Sequence, residues 1–548
     1  MARRLHLTIH VPRRVPRAIR AGWVAGCLMA AAAGQSAGSS DLVDAGRRLY
    51  RAAEGSDGTS IEATTQHDVR LAAASAACIG CHRRSGLGGS EGPVRSPPVT
   101  GAALFSSRET PPRRPAYDDT SLRRAVTQGI GADGRTLDAL MPRYRLTDDD
   151  LAALAAYLRT LGAEPSPGVA STAIELATIV TDDAAESDVV VEVLQRFTEV
   201  KNAGTRNETR RAAAAQHPYG ERRDRAFRRW HLSVWRLEGP ASTWDSQLSA
   251  LYDRHPPFAV VSGATGHDWL VVHRFCEQRE LPCILPIADA PPGTGGDFYS
   301  LYFSEGVRLE ARAAARHIAA TADDPAARVL LVYGDDERGR AAGDAFVDAW
   351  RGRPVVQRRI AAGTRPTRRQ WQEMVSREQP DILVAWLTPW QLQTLSSIVS
   401  GMPWLPRRIY TAEGFAPWLE AGSPAPFLDR VHHVYPYTLP AANRSRFPRE
   451  QTWLRGQGLD DLNAVAAAKV LFACHVVGEA LADIQGNFYR DYLLEELEHM
   501  LDGTTMTSLY PTTALGPGQR RLVSGGYVVR LGRSNQVATY NDPDWIAP

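Results

Sequence analysis

Cysteine is scarce in this chain, six in 548 residues. So few exclude a disulfide-dense scaffold, and their spacing carries more information than their number. Long apolar runs are missing too. Past the N-terminal leader no stretch reads as the ~18 consecutive apolar residues of a spanning helix, so no transmembrane segment is expected in the mature chain. Charge of one sign is lacking as well: the formal net charge is +2, and a basic leader inflates even that. Beyond about residue 164 no nucleophile–base set or metal cluster stands out, so enzymatic activity is not expected. What is present is an ordinary globular composition, 44% hydrophobic and 23% charged. The chain is too long for one core, and two or more domains are expected.

Residues 1–38 read as an export signal. Arg3, Arg4, Arg13, Arg14, Arg17 and Arg20 form a basic region, Ala21 to Gly34 a short apolar one, and Ala33 to Ser40 supplies small residues for cleavage. Val24-Ala25-Gly26-Cys27 resembles a lipoprotein cleavage box, which would put a lipid anchor on Cys27. Six residues separate Arg20 from Cys27 and the apolar run continues past it, so Cys27 is read instead as part of the discarded signal. The expected location is the periplasm, where nucleic acid is not an expected partner.

The most informative stretch is Cys78-Ile79-Gly80-Cys81-His82, the c-type haem attachment pattern. On a first helical turn, residues three apart share a face, so Cys78 and Cys81 can both form thioethers to the haem vinyl groups. His82 then offers an imidazole nitrogen to the iron. A zinc half-site would want a second Cys/His pair, and none follows within the next hundred residues. A redox dithiol would sit in a βαβ context, whereas these surroundings read as helical.

Around this motif, Asp41 to Ala53 reads as a helix with Val43, Gly46 and Tyr50 on one face. Glu54 to His67 reads as a polar loop, Gly86 to Gly101 as irregular, and Thr120 to Gln128 as a short helix. Thr147 caps a further helix with Asp150 reaching back, and Leu151, Leu154, Leu158 and Leu161 form its buried stripe. Residues 40–163 thereby resemble the class I c-type cytochromes, an all-α fold. The resemblance implies that Gly46 and Tyr50 cross Tyr157 and Leu158 on the last helix. It implies one covalent haem c, with Met141, in the loop before that helix, as the second axial ligand beside His82. It also implies a proline carbonyl that orients His82; Pro97 and Pro98 are both candidates, and Pro98, with Gly101, fits slightly better. The long loop at 54–77 departs from the family and leaves the exposure of the haem open.

Ala163-Glu164-Pro165-Ser166-Pro167-Gly168 opens an interdomain linker, taken as 164–174. From 175 to 548, short apolar runs alternate with amphipathic helices. Leu176 to Thr181, Leu232 to Leu237, Phe258 to Ser262, Ile284 to Ile287, Val329 to Tyr333 and Ile382 to Leu387 read as buried strands. Val189 to Val200, Trp244 to Tyr252 and Ala342 to Trp350 read as helices between them. The alternation predicts open parallel sheets in two lobes. Its order resembles the type I periplasmic ligand-binding proteins, which include branched-chain amino-acid receptors. Phe258 to Gly266 resembles the strand and turn that meet a ligand carboxylate, and Ile409 to Phe415 the segment that supplies an acidic contact to an amine.

Ligands of open α/β sheets bind outside the carboxyl ends of the strands. Ser262, Thr265 and the Gly266 amide lie at one such end, with Asp289, Tyr333, Asp335 and Glu413 after other strands. An anion on a helix N-terminus at Gly266 is the expectation, with Glu413 pairing an amine if the ligand is amino-acid-like. Each of these residues reads equally well as a solvated loop or capping residue. Cys276 and Cys283 bracket a helix end and a strand, and a disulfide between them is expected. Cys474 reads as a buried thiol, with His475 beside it on helix surface or core. The arginine-rich insertion at 204–230 reads as a solvated face, or else as a docking patch for an acidic partner. Together these features predict an exported electron carrier whose second domain binds a small molecule or docks a redox partner, a dehydrogenase or oxidase. The alternative is the solute receptor of an ABC-type transporter with an accessory cytochrome domain.

Overall fold

In the computed structural model, the described residues are 40–548 without 72, 215–227, 267–268, 294, 296, 323, 325, 352, 399–403, 416–424, 440–446, 485, 503–508, 517, 535–536 and 548. The export signal and Cys27 lie outside them, as do residues 215–227 of the arginine-rich insertion. The chain divides into two compact units, Met1–Glu164 and Pro165–Pro548.

The first unit is mainly helical. A helix over 40–52 crosses Asp148–Thr160. A Cβ on Gly46 would lie 2.0 Å from the Ala153 carbonyl oxygen, so only glycine permits this approach. Tyr50 and Tyr157 meet beside it with ring centroids 5.4 Å apart. The Thr147–Asp150 capping box forms as expected. Asp150 also accepts hydrogen bonds from the Ser56 amide and hydroxyl, at 2.7 and 2.9 Å. Burial alone would raise its pKa, but the Ser56 and Thr147 bonds outweigh this and hold it below the ordinary aspartate value.

An all-α description is corrected here. The region read as the loop 54–67 carries a strand, Ala63–Thr65, which pairs antiparallel with Val69–Leu71 and with Arg143–Tyr144. The region read as irregular carries the hairpin Gly89–Glu91 with Val94–Ser96. Both pairings are short, and their partners are non-local or separated by a tight turn, so neither shows as a periodic run.

The linker is also shorter than expected. The Ser166 amide donates to the Phe488 carbonyl at 3.2 Å, and a Cβ on Gly168 would lie 2.2 Å from the Phe258 nitrogen. Residues from Ser166 on are therefore bound into the second unit.

That unit holds two open sheets. One is wholly parallel, in the order Ser300–Leu301, Cys283–Ile284, Ala259–Ala264, Ala173–Thr181, Arg229–Leu237. The run read as Ile284 to Ile287 is thus a strand of two residues. The other places Val356–Ile360, Val329–Gly334, Ile382–Trp386, Arg408–Ala412 and Val431–Tyr435 in parallel and adds the antiparallel pair Gly526–Ser534 and Val537–Ile546. In each sheet the second strand lies on one side of the first and the third on the other, which creates a switch point where the order reverses. Backbone bonds between crossing segments join the lobes, such as Tyr302 to Arg520 at 2.8 Å and Thr438 to Leu509 at 2.9 Å.

The helix Ala464–Asp483 is, by length and composition alone, long and apolar enough to cross a membrane. It is buried along Ala466, Val470, Cys474 and Val477 as part of the α/β core. Burial raises the Cys474 thiol pKa, and the His475 ring meets Phe197 edge-on at 5.1 Å.

Candidate haem site

The motif Cys78–His82 forms a single helical turn, Ile79–His82. Cys78, Cys81, His82 and Met141 all line one cavity of about 920 Å³. Its walls are largely apolar, from Leu49, Tyr50, Leu122, Val126, Leu154 and Leu158. The volume lies in the range of roughly 300–1,000 Å³ usual for cofactor sites.

His82 Nδ1 lies 2.9 Å from the carbonyl oxygen of Pro97. This corrects the choice of Pro98: the neighbouring proline supplies the oxygen. The contact leaves Nε2 as the ring nitrogen free to ligate. Burial lowers the His82 pKa against the opposing pull of that carbonyl, which favours the neutral imidazole a metal requires. Burial pushes the Cys78 thiol up to about 11, and its sulfur is hydrogen-bonded to the Tyr144 hydroxyl. Tyr144 was not anticipated; it reaches the site because Arg143–Tyr144 pairs with Ala63–Thr64. Two cysteines, an imidazole and a thioether around an apolar cavity fit a covalent haem.

The second unit treats its expected site residues differently. The Gly266 amide is not free, since it donates to Thr181 Oγ1 at 2.9 Å. The Asp183 carboxylate lies against Gly266, within 2.5 Å of where a Cβ would sit, and would repel an anion. The following helix starts only at Leu270. Among the described residues, the Gly266 amide is thus engaged within the protein and not presented to an anion. Thr265 is half-buried at the same strand end.

Tyr333 is buried, with its hydroxyl on Gln357 at 3.1 Å and Arg359 Nε at 3.2 Å. Asp335 pairs with Arg340 at 3.2 Å, and Asp289 with Arg338 at 3.3 Å. Glu413 does not reach out to a ligand amine. Its carboxylate is buried against His433 Nε2 at 3.0 Å, whose Nδ1 meets Thr411 Oγ1 at 2.9 Å. Ser262 is fully buried at φ 55°, and its hydroxyl has no hydrogen-bond partner among the described residues. It sits in a β-bulge: Ala177 pairs with Val260 but Ile179 with Gly263.

Sequence reasoning passed over Glu310. Burial pushes its carboxyl up to about 8, although Arg338, the Gly414 amide and Lys469 oppose the rise. Both its oxygens approach the Gly414 amide, at 3.1 and 3.3 Å. Cys276 and Cys283 are free thiols, fully buried and hydrogen-bonded to each other, so the expected disulfide is not formed in this structure.

Residues 70–162 match the family model described as Cytochrome c. They form a cytochrome c domain, and the match implies a haem c cofactor. No curated protein matches the chain. Among solved structures, it is similar to a fatty acid ABC transporter substrate-binding protein from Thermomonospora curvata, at 14% identity and TM-score 0.48, over 70% of this chain and 95% of that one. It is also similar to the branched-chain amino acid transporter substrate-binding protein LivJ from Streptococcus pneumoniae, solved with isoleucine, at 12% identity and TM-score 0.46, over 69% and 100%. A third is a solute-binding protein of an ABC transporter from Rhodopseudomonas palustris, solved with 3,4-dihydroxybenzoic acid, at 12% identity and TM-score 0.47, over 68% and 97%. These are type I periplasmic binding proteins.

Proposed function

We propose that the chain is an exported electron carrier, periplasmic, with one covalent haem c and an α/β unit that binds a small molecule or docks a redox partner. The observation that carries this is the convergence of Cys78, Cys81, His82 and Met141 on one apolar cavity, with the Pro97 carbonyl on His82 Nδ1. When bound, the haem supplies a one-electron iron couple. Cys78 and Cys81 would tether it, His82 and Met141 would hold its iron, and the apolar walls would exclude water. A haem held by both His82 and Met141 would be suited to electron transfer and not to catalysis at the iron.

The test is the exported full chain on a denaturing gel stained for haem. One haem per chain is expected, and its loss in the Cys78→Ala/Cys81→Ala pair. Met141→Ala is expected to turn the ferric iron high-spin or open it to added ligands. An unchanged axial spectrum in that variant rules Met141 out.

The solute-receptor reading is favoured by one observation, the Ser262 hydroxyl beside the first lobe's switch point, which has no hydrogen-bond partner among the described residues. Because binding to the folded state raises its apparent stability, a thermal-shift screen with amino acids and aromatic carboxylates tests it. No shift with either class leaves the α/β unit as a docking domain.

A further inference from the structure

We infer that Arg143 and Thr65 are positioning residues for Met141, together clamping the loop that carries the axial thioether. The inference rests on the reading of Met141 as the second iron ligand.

A thioether is a weak, neutral ligand. Whether it stays bound depends on how often its loop moves away, and a loop is held by its backbone groups. Between Leu137 and Met141 every carbonyl is engaged. Arg143 takes both ends: one guanidinium nitrogen donates to the Met141 carbonyl, and another to Leu137 and Asp138 at 3.4 and 3.3 Å. Thr65 takes the middle, its hydroxyl reaching the Ala139 and Leu140 carbonyls at 3.2 Å each. The Gln66 amide adds a bond to the Ala139 carbonyl at 3.1 Å.

The two residues are far apart in sequence, but their neighbours pair directly, Thr64 with Arg143 and Ala63 with Tyr144. Space for the guanidinium comes from Gly129, in the left-handed region at φ 71°; a Cβ there would lie 2.0 Å from the Arg143 guanidinium carbon. The strand Ala63–Thr65 belongs to the long segment at 54–77 that departs from the cytochrome pattern. That segment thereby acquires a role: it braces the ligand loop from outside.

The test uses the full haem-loaded chain in its ferric state, titrated with imidazole while the thioether–iron band in the far red is followed. The wild type should show the band. Losing a charge-assisted hydrogen bond should open the loop more often, so Arg143→Met should raise the apparent imidazole affinity about tenfold. Thr65→Val, which keeps the strand, should raise it about threefold through the loss of neutral bonds. Arg143→Lys should recover part of the wild-type value, since an ammonium cannot span both ends of the loop. Imidazole affinities unchanged in both variants overturn the clamp, even where unfolding temperatures fall. Should Arg143→Met fail to fold, Thr65→Val decides alone. Absence of the far-red band in the wild type fails the Met141 reading itself, and the clamp with it.

Discussion

The cavity of the first unit and the strand ends of the second answered the same kind of sequence signal in opposite ways. In the first, residues spread from Leu49 to Leu158 converge on one space and leave it open. In the second, the residues expected to meet a ligand mostly meet the protein: Gly266 meets Thr181, Glu413 meets His433, Asp335 meets Arg340. The difference lies in what sets each motif. Thioether attachment requires two sulfurs and an imidazole at one spacing, and nothing else in the chain can stand in for them. An amide or carboxylate at a strand end requires only some partner, and a folded protein often supplies one from the next strand.

The contrast can first be broken sterically, where the largest effect is expected. If the haem cavity depends on the close crossing of two helices, Gly46→Ala must force them apart. The added Cβ would lie 2.0 Å from the Ala153 carbonyl oxygen and 2.8 Å from the Tyr157 Cβ. Both are parts of a packed helix, and neither is the end of a flexible chain. A cost of about 3 kcal/mol is expected, as for other overpacked core sites, with reduced haem incorporation. Chemical denaturation followed at the haem band checks this. A loss below ~1 kcal/mol would show that the crossing is looser than the contact distances imply.

The contrast can next be sharpened electrostatically. Glu310 is held near Gly414 with its carboxyl raised to about 8 by burial. Its folded pKa lies above the unfolded value, so the folded state binds the proton more tightly. Its contribution is therefore most favourable below about pH 4.5, declines as pH rises, and levels off above the folded value. Glu310→Gln keeps an acceptor for the Gly414 amide and removes the titration. The variant should be more stable than the wild type by a few kcal/mol at pH 9, and the gap should close toward pH 5. Denaturant melts across that range measure it. An equal gap at both ends would mean that Glu310 is ionised throughout, paired with Arg338 or Lys469.

What was legible follows the same division. The haem cysteines, His82 and the Thr147 cap are set by local spacing, whereas the Met141 loop and the Gly46 crossing were legible only through the resemblance to the class I c-type cytochromes. Pro97 against Pro98 was not, because adjacent prolines differ only in which carbonyl the turn aims at His82. The strand Ala63–Thr65 was hidden because one partner, Arg143–Tyr144, lies about eighty residues away, the other, Val69–Leu71, is as short as itself, and a three-residue strand carries no period of its own. In the second unit the alternation of strands and helices was readable. Thr181, Asp183 and His433 were not readable as partners, since Thr181 and Asp183 come from the end of Ala173–Thr181 and His433 from Val431–Tyr435, each a strand beside the one whose end carries the residue it meets. Cys276 and Cys283 were correctly brought into contact by their spacing, but contact alone does not make a bond.

The smallest expected effect tests whether any part of the second unit's strand ends is kept for a ligand. Ser262 is the exception among its neighbours: fully buried, at φ 55°, in a bulge, with a hydroxyl that has no partner among the described residues. Both features cost stability, the positive φ because a Cβ is crowded there and the hydroxyl because it has left water without a replacement bond. Ser262→Gly removes both at once. It adds chain entropy to the unfolded state, which works the other way. The net expectation is a gain of about 1 kcal/mol in the unliganded protein. Had Ser262 been simple filler, the substitution would leave a small void and lower the stability. A stabilised Ser262→Gly variant that also loses the thermal shift given by any ligand found for the wild type would place that ligand at this bulge. A stabilised variant that retains the shift would put the ligand elsewhere.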